Sequence, residues 1–146
     1  MKVTYKGDYA LKAVLQLALN YDKGVVTIRE MAGHIDAPIK FLEQVLLDLK
    51  KGGFVESRRG NTGGYMLARE PGKITVGEVI RFIDGPIEPI ACVQNKYSNC
   101  ADINNCAFKK IWERVYSATA EIVDSVTFEN LASEACSNNR APEYSI

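Results

Sequence analysis

Thr27-Ile28-Arg29-Glu30-Met31-Ala32-Gly33-His34-Ile35-Asp36-Ala37-Pro38-Ile39-Lys40-Phe41-Leu42-Glu43-Gln44-Val45-Leu46-Leu47-Asp48-Leu49 spells two helices and the turn between them. Thr27-x-x-Glu30 is a capping box, in which the Thr27 side chain serves the Glu30 amide and Glu30 reaches back to the Thr27 amide. It opens a short helix through Met31 and Ala32. Asp36-Ala37-Pro38 breaks that helix, and Pro38 suits the first turn of the next one. Phe41, Leu42, Val45, Leu46 and Leu49 recur at helical spacing and predict a single buried stripe. Gly52-Gly53 ends this helix, with Lys50 and Lys51 in its last turn, where the helix dipole favours cations.

Working outward, Tyr9, Ala10, Ala13, Val14, Leu17, Ala18 and Tyr21 predict a preceding helix from about Asp8 to Asn20. Downstream, Phe54–Arg58 and Tyr65–Ala68 read as strands joined by Arg59-Gly60-Asn61-Thr62-Gly63-Gly64, whose glycines and asparagine supply the positive φ of a hairpin turn. Three helices and then a hairpin is the order of a winged helix. In helix-turn-helix proteins the second helix of the pair enters the major groove, where base edges are distinguishable. The buried stripe leaves Ile39, Lys40, Glu43 and Gln44 free near the start of that helix. Lys40 suits a phosphate, Glu43 can accept from cytosine and Gln44 can pair with adenine. Arg58 and Arg59 stand at the base of the wing. Gly60 and Asn61 belong to a tip small enough to approach a duplex, and a wing arginine can enter a narrow minor groove. Any one of these residues also fits a plain solvated surface. The order of elements is what argues for double-stranded DNA.

Thr75-x-x-Glu78 is a second capping box, opening a helix over Val76, Val79, Ile80 and Ile83 that Gly85-Pro86 stops. From about Ala107 to Ser125 a long helix is expected. Its Phe108, Ile111, Val115, Ala118, Ile122 and Val126 form a near coiled-coil seam. The preceding module of some 80 residues has enough apolar faces to close alone, so the seam is expected to pair with a second copy in a homodimer. Thr127 onward reads as one short helix near Leu131 and a polar tail. The expected fold is mostly α with a small β-hairpin. It comprises a winged helix-turn-helix domain over 1–84, a cysteine-containing loop over 85–106, a dimerisation helix over 107–126, and a short helix and tail over 127–146.

The whole chain of 146 residues is 47% hydrophobic and 25% charged, which fits one globular domain or a small domain with an oligomerisation arm. The zero net charge hides a segregation. Residues 1–81 hold 13 Lys and Arg against 9 Asp and Glu, and residues 82–146 hold 5 against 9. A basic front half can face a polyanion, although an imbalance of this size also arises without function. Neither a membrane-length apolar run nor a signal-peptide core is evident, so a cytoplasmic protein without a membrane partner is expected. An enzyme is not expected. There is no phosphate-binding glycine fingerprint, and a lone histidine, His34, makes a Ser/His/Asp or Cys/His site hard to assemble.

Cys92, Cys100 and Cys106 lie in one loop-like polar stretch with the spacing C-x₇-C-x₅-C. In a reducing compartment such thiols are metal ligands or redox groups sooner than disulfides. Three thiolates suit an iron–sulfur cluster or zinc. Structural zinc sites use shorter C-x₂₋₄-C knuckles, and wide spacings in a flexible loop fit the larger cluster better. Thiol redox sensing without metal, zinc, or inert cysteines are the other readings. Cys136, on the polar tail, is a bystander.

Lys6-Gly7-Asp8-Tyr9-Ala10-Leu11, Phe41-Leu42-Glu43-Gln44-Val45-Leu46 and Ser57-Arg58-Arg59-Gly60-Asn61-Thr62-Gly63-Gly64-Tyr65 resemble the Rrf-type winged-helix transcription regulators. The resemblance runs nearly the length of the chain. It implies homodimers on palindrome-like operators, with DNA contacts at Glu43 and Arg59. One branch of that family carries an iron–sulfur cluster, completed by a histidine three residues after the third cysteine, where this chain has Lys109. In a nitric-oxide-sensing repressor branch, an aspartate in the first helix of the other subunit serves, and Asp8 holds that position here. Asp8 also simply suits the positive end of a helix. Asp102 and Glu113 are fallback carboxylates, and His34 reads as a solvated or capping residue. The stretches Asp84-Gly85-Pro86-Ile87-Glu88-Pro89 and Thr127-Phe128-Glu129-Asn130-Leu131-Ala132 resemble a third branch, the repressors of cysteine metabolism, which typically lacks the cysteines. The expected function is therefore a DNA-binding regulator sensing cluster supply, iron, nitric oxide or redox state through a 2Fe-2S or 4Fe-4S cluster on Cys92, Cys100, Cys106 and Asp8. The alternative is a cysteine-metabolism-type repressor governed by a partner protein or by thiol oxidation without metal.

Overall fold

The computed structural model describes residues 1–61, 63–93, 99–102 and 104–140, with side chains through 138. Its elements run α1 (Tyr5–Leu19), α2 (Ile28–Ile35), α3 (Ile39–Lys51), β1 (Val55–Arg58), β2 (Gly64–Leu67), α4 (Val76–Asp84), α5 (Lys109–Ser125) and α6 (Phe128–Arg140). Two 3₁₀ turns, Pro71–Lys73 and Ala91–Val93, lie before α4 and α5. The expected fold class, mostly helical with one small hairpin, is the observed one.

Both capping boxes form. The Thr27 hydroxyl accepts from the Glu30 amide at 3.2 Å while the Thr27 amide donates to Glu30 Oε2 at 2.9 Å, and Thr75 and Glu78 repeat the pattern at 3.2 and 2.9 Å. α1 starts three residues before the expected Asp8, because the Thr4 hydroxyl accepts from the Gly7 amide at 3.0 Å and caps the helix there. Pro38 is the N-cap of α3, just outside the first turn predicted for it. Asp36 adopts φ 51°, which closes α2 and makes the helix-turn-helix corner. The hairpin pairs antiparallel, Val55 with Leu67 through Arg58 with Gly64. Val26 adds a bridge to Tyr65 on its outer edge, which fastens the wing to the entrance of α2.

α1 is the axis of the molecule. It touches α2, α3, α4, α6 and β2. Ala10, Ala13, Val14 and Leu17 are fully buried on its inner face, against Leu42, Val45, Leu46 and Leu49 of α3, Met31 of α2, Val79 of α4 and Phe128 of α6. That last residue corrects two expectations. The N-terminal module does not close its own core, because Phe128 is completely buried within it. Nor is the C-terminal helix short: α6 runs thirteen residues and packs on α1. Its start is fixed by a reciprocal cap, with the Asn130 amide donating to the Thr127 hydroxyl at 3.1 Å and the Thr127 amide donating to Asn130 Oδ1 at 3.0 Å. The expected tail beyond Arg140 lies outside the described residues.

α5 starts at Lys109, two residues after the expected boundary, and buries only Val123 in a satellite cluster with Ile80 and Ile87. At its C-terminal end it is bolted to the core. Arg81 forms a two-pronged ion pair with Asp124, at 2.6 and 2.9 Å, and Thr75 bridges Thr127. The other face of α5 is the expected seam, and it is bare: Phe108 is 62% exposed, Ile111 49%, Val115 41% and Ile122 64%. Among the described residues no helix is long and apolar enough to cross a membrane.

Phe128→Ala should lower unfolding stability by about 3–5 kcal/mol, the usual cost of truncating a buried phenylalanine. A denaturation curve measures it, and a loss under 1 kcal/mol would remove α6 from the core. The guanidinium of Arg81 hydrogen-bonds Asp124 and holds its carboxyl below the ordinary carboxylate range. The stability this contributes is present above the unfolded-state pKa and lost as pH falls through the lower folded-state value. Asp124→Asn should therefore cost about 0.5–1 kcal/mol at neutral pH, as befits a half-exposed pair, and should lose less further stability on acidification than the parent does.

Candidate nucleic-acid interface and metal centre

The residues read as DNA-facing all lie on the surface. Lys40, Glu43 and Gln44 are exposed on the first two turns of α3, because the buried stripe of Leu42, Val45, Leu46 and Leu49 takes up the opposite face. Arg58, at the end of β1, and Arg59, Gly60 and Asn61 beyond it are exposed as well. The wing tip is tight. Gly60 has φ 113° and its carbonyl accepts from the Gly63 amide at 2.9 Å. A Cβ on Gly63 would stand 2.6 Å from the Arg58 carbonyl oxygen, so the turn has no room for one. Lys50 Nζ donates to the Ser57 hydroxyl at 2.8 Å, joining the end of α3 to β1, so that helix and wing keep a fixed relation.

Besides Arg81 with Asp124, two long-range contacts within the chain escaped the sequence reading. Lys6, in the first turn of α1, pairs with Asp48 of α3 at 2.5 Å, and the second Asp48 oxygen accepts from Gln44 Nε2 at 3.4 Å. The Asp48 carboxyl is held below the ordinary range, chiefly by the hydrogen bond from Lys6. Thr4, the cap of α1, donates its amide to Asp84 Oδ2 at 3.0 Å and its hydroxyl to Asp84 Oδ1, at the last residue of α4. Gly7 leaves room for this contact, since a Cβ there would displace the Asp84 carboxylate. No local pattern announces either pair. The partners are 42 and 80 residues apart.

All four cysteines are free. Cys92 is half-buried on the 3₁₀ turn that packs against α5, Cys100 is exposed, and Cys106 is half-buried, its carbonyl accepting from the amide of Lys109 at the start of α5. Asp8 sits in the first turn of α1 with its carboxylate half-exposed and paired to Lys12 at 2.7 Å. Its bond raises the Lys12 pKa, despite opposing desolvation. Among the described residues no group of three or more His, Cys, Asp or Glu side chains could hold a metal ion. The donor chemistry, three soft thiolates and an accessible carboxylate, suits an iron–sulfur cluster, but one chain alone does not gather it. His34 is exposed in the last turn of α2, and Cys136 is exposed on α6.

Residues 3–134 match the family model described as "Rrf2: Iron-dependent Transcriptional regulator". The chain belongs to the Rrf2 family of transcriptional regulators. An rrf2-like HTH-type transcriptional regulator of Rhodobacter capsulatus is 38% identical over 136 residues, covering 88% of this chain and 91% of that one. Two solved structures superimpose nearly end to end. CymR of B. subtilis, titled its global cysteine regulator, has a TM-score of 0.79 and 34% identity over 92% of this chain and 98% of its own. IscR of T. potens has a TM-score of 0.76 and 32% identity over 99% and 95%. Membership in the Rrf2 family is thus common ground between this chain and regulators from two of the branches it resembles. The sensing mode differs within that membership.

Loss of one cation at the wing is expected to weaken DNA binding and lower its salt dependence. We expect Arg59→Ala to reduce the slope of log K against log salt by about 1. Glu43→Ala should instead relax base preference, by about 1–3 kcal/mol of discrimination at one base pair. Titrations with a duplex selected from a random library separate the two effects. If neither variant changes affinity or preference, these side chains do not face DNA.

Proposed function

We propose that the protein is a homodimeric transcription regulator that binds a double-stranded operator through α3 and the wing, and responds to an iron–sulfur cluster held by Cys92, Cys100 and Cys106 of one subunit with Asp8 of the partner subunit as fourth ligand. The observation that carries this reading is the set of three free, solvent-reachable thiols on the single connection between α4 and α5. Membership in a family described as iron-dependent supports it. When bound, such a cluster supplies a centre whose presence follows iron supply, nitric oxide and oxidants.

The roles of the chain's own residues follow from their positions. Cys92 and Cys106 are held against α5 and at its N-terminal end, so two thiolates are anchored to the helix whose bare seam a second copy would cover. Asp8 must exchange Lys12 for the metal, and Lys12 then remains beside the site as a counter-charge to an anionic, thiolate-rich centre. Because Asp8 lies in the first turn of α1, a force on its carboxylate acts on the helix against which α3 is packed. The two ends of that linkage bias one equilibrium, as coupling between sites requires.

A second reading draws on the likeness to CymR. There the thiols act without metal, or a partner protein carries the signal. What supports it is that, among the described residues of one chain, no group of three or more His, Cys, Asp or Glu side chains could hold a metal ion, together with the likeness to CymR.

Anaerobic reconstitution decides between them. The first reading expects a brown protein with visible charge-transfer absorption and stoichiometric iron and sulfide, and expects Asp8→Ala to alter that spectrum and speed the loss of colour in air. A colourless protein with full DNA affinity after reconstitution would exclude the cluster. An unchanged spectrum in Asp8→Ala would exclude Asp8 alone.

A further inference from the structure

The pair between Lys6 and Asp48 joins two helices at a point where neither needs it for burial. Asp48 lies one turn beyond Gln44 on α3, with its side chain 19% exposed, and its two oxygens are divided between Lys6 at 2.5 Å and the Gln44 amide nitrogen at 3.4 Å. The second contact is long, so it adds little energy. Its effect is geometric: the nitrogen of Gln44 turns toward Asp48, and the carbonyl oxygen is left pointing away. A glutamine that reads adenine must present its oxygen to N6–H and a hydrogen of its nitrogen to N7. Nε2 carries two hydrogens, so it can keep Asp48 and still donate to a base. Without that restraint the side chain explores several rotamers, and ordering one at an interface costs free energy.

Charge supplies a second argument. A bare carboxylate one turn from Gln44 and about two turns from Lys40 would repel phosphates. Lys6 neutralises Asp48 in place, and Lys51 adds a further favourable charge. Lys6 also belongs to the first turn of α1, whose cap Thr4 is tied to Asp84 at the start of the cysteine-bearing connection. The start of α1 thus meets the recognition helix through Lys6 and the last residue of α4, just ahead of the cysteine-bearing connection, through Thr4.

We propose that Asp48 is a positioning residue for base recognition, orienting the Gln44 amide toward a base edge and, through Lys6, tying that orientation to the first turn of α1. This rests on the reading of α3 as the DNA-contacting helix.

The full-length protein, selected against a random duplex library, gives its preferred site and a relative affinity for each base substitution. Gln44→Ala identifies the base pair that Gln44 reads. Asp48→Asn should lower discrimination at that same base pair by about twofold to fourfold, as befits a long contact, with binding to unrelated duplex changed by less than about 1.5-fold. A merely structural role would instead weaken all duplexes alike. Lys6→Met should reproduce the loss and Lys6→Arg should restore it, and thermal melts of all four variants establish that each is folded. If Asp48→Asn keeps the parental base profile while Gln44→Ala loses it, the positioning role is overturned and the DNA-facing helix stands. If Gln44→Ala itself changes no base preference, the reading of Gln44 falls and the proposal falls with it. If Asp48→Asn loses preference but Lys6→Met keeps it, the tie to α1 is overturned.

Discussion

Burial of one face of α1 is the constraint on which the rest of the structure depends. Ala10 and Ala13 let neighbouring helices come close, while Val14 and Leu17 fill the space above and below them, and all four are excluded from solvent. Helices from both ends of the chain share this face: α2 and α3 on one side, α4 and α6 on the other. α3, the helix proposed to read DNA, and the C-terminal helix are therefore parts of a single core, and a shift of α1 is felt by both. Close-packed interiors pass such shifts on because they have few voids in which to absorb them.

The same constraint explains the shape of the arm. α4 and α6 are both committed to α1, so the segment between them has to leave the core and return. Arg81 with Asp124, and Thr75 with Thr127, fasten the returning end. The outgoing end carries the cysteines. Between these points α5 spans seventeen residues and buries only Val123, so its outer stripe of Phe108, Ile111, Val115 and Ile122 faces water. Contiguous apolar surface of this kind marks an association site, and the heptad-like steps fit a helix of the same chain.

What could be read in the sequence was local. The boxes at Thr27 with Glu30 and Thr75 with Glu78 span three residues, and the stripe of α3 repeats every turn, so their structural consequences follow from neighbours along the chain. The exposure of Lys40, Glu43, Gln44, Arg58 and Arg59 was legible for the same reason, as what a buried stripe and a tight turn leave over. The length of α6 was missed because its cap uses Asn130 in place of a glutamate and its later residues are mostly polar, so the apolar residues that reach the core, Phe128, Leu131 and Ala132, lie in its first turns. Lys6 with Asp48, Thr4 with Asp84 and Arg81 with Asp124 could not be anticipated: each joins residues 42 to 80 positions apart, whose meeting depends on the completed fold.

The cysteines mark a different limit. Their number and chemistry are visible in the sequence, yet among the described residues no three such side chains are gathered to hold a metal, and the carboxylate proposed to join them is engaged with Lys12 one turn along its own helix, α1. A site assembled across a two-fold axis has this appearance from one side only: ligands that look incomplete and a carboxylate whose surface ion pair is weak enough to be exchanged. The bare stripe of α5 is the separate observation behind the proposed second copy, since its exposure does not depend on whether a metal is present. Dimerisation driven by that stripe would then precede ligand binding, so the affinity of the thiols for iron would depend on how far the dimer has brought Asp8 within reach.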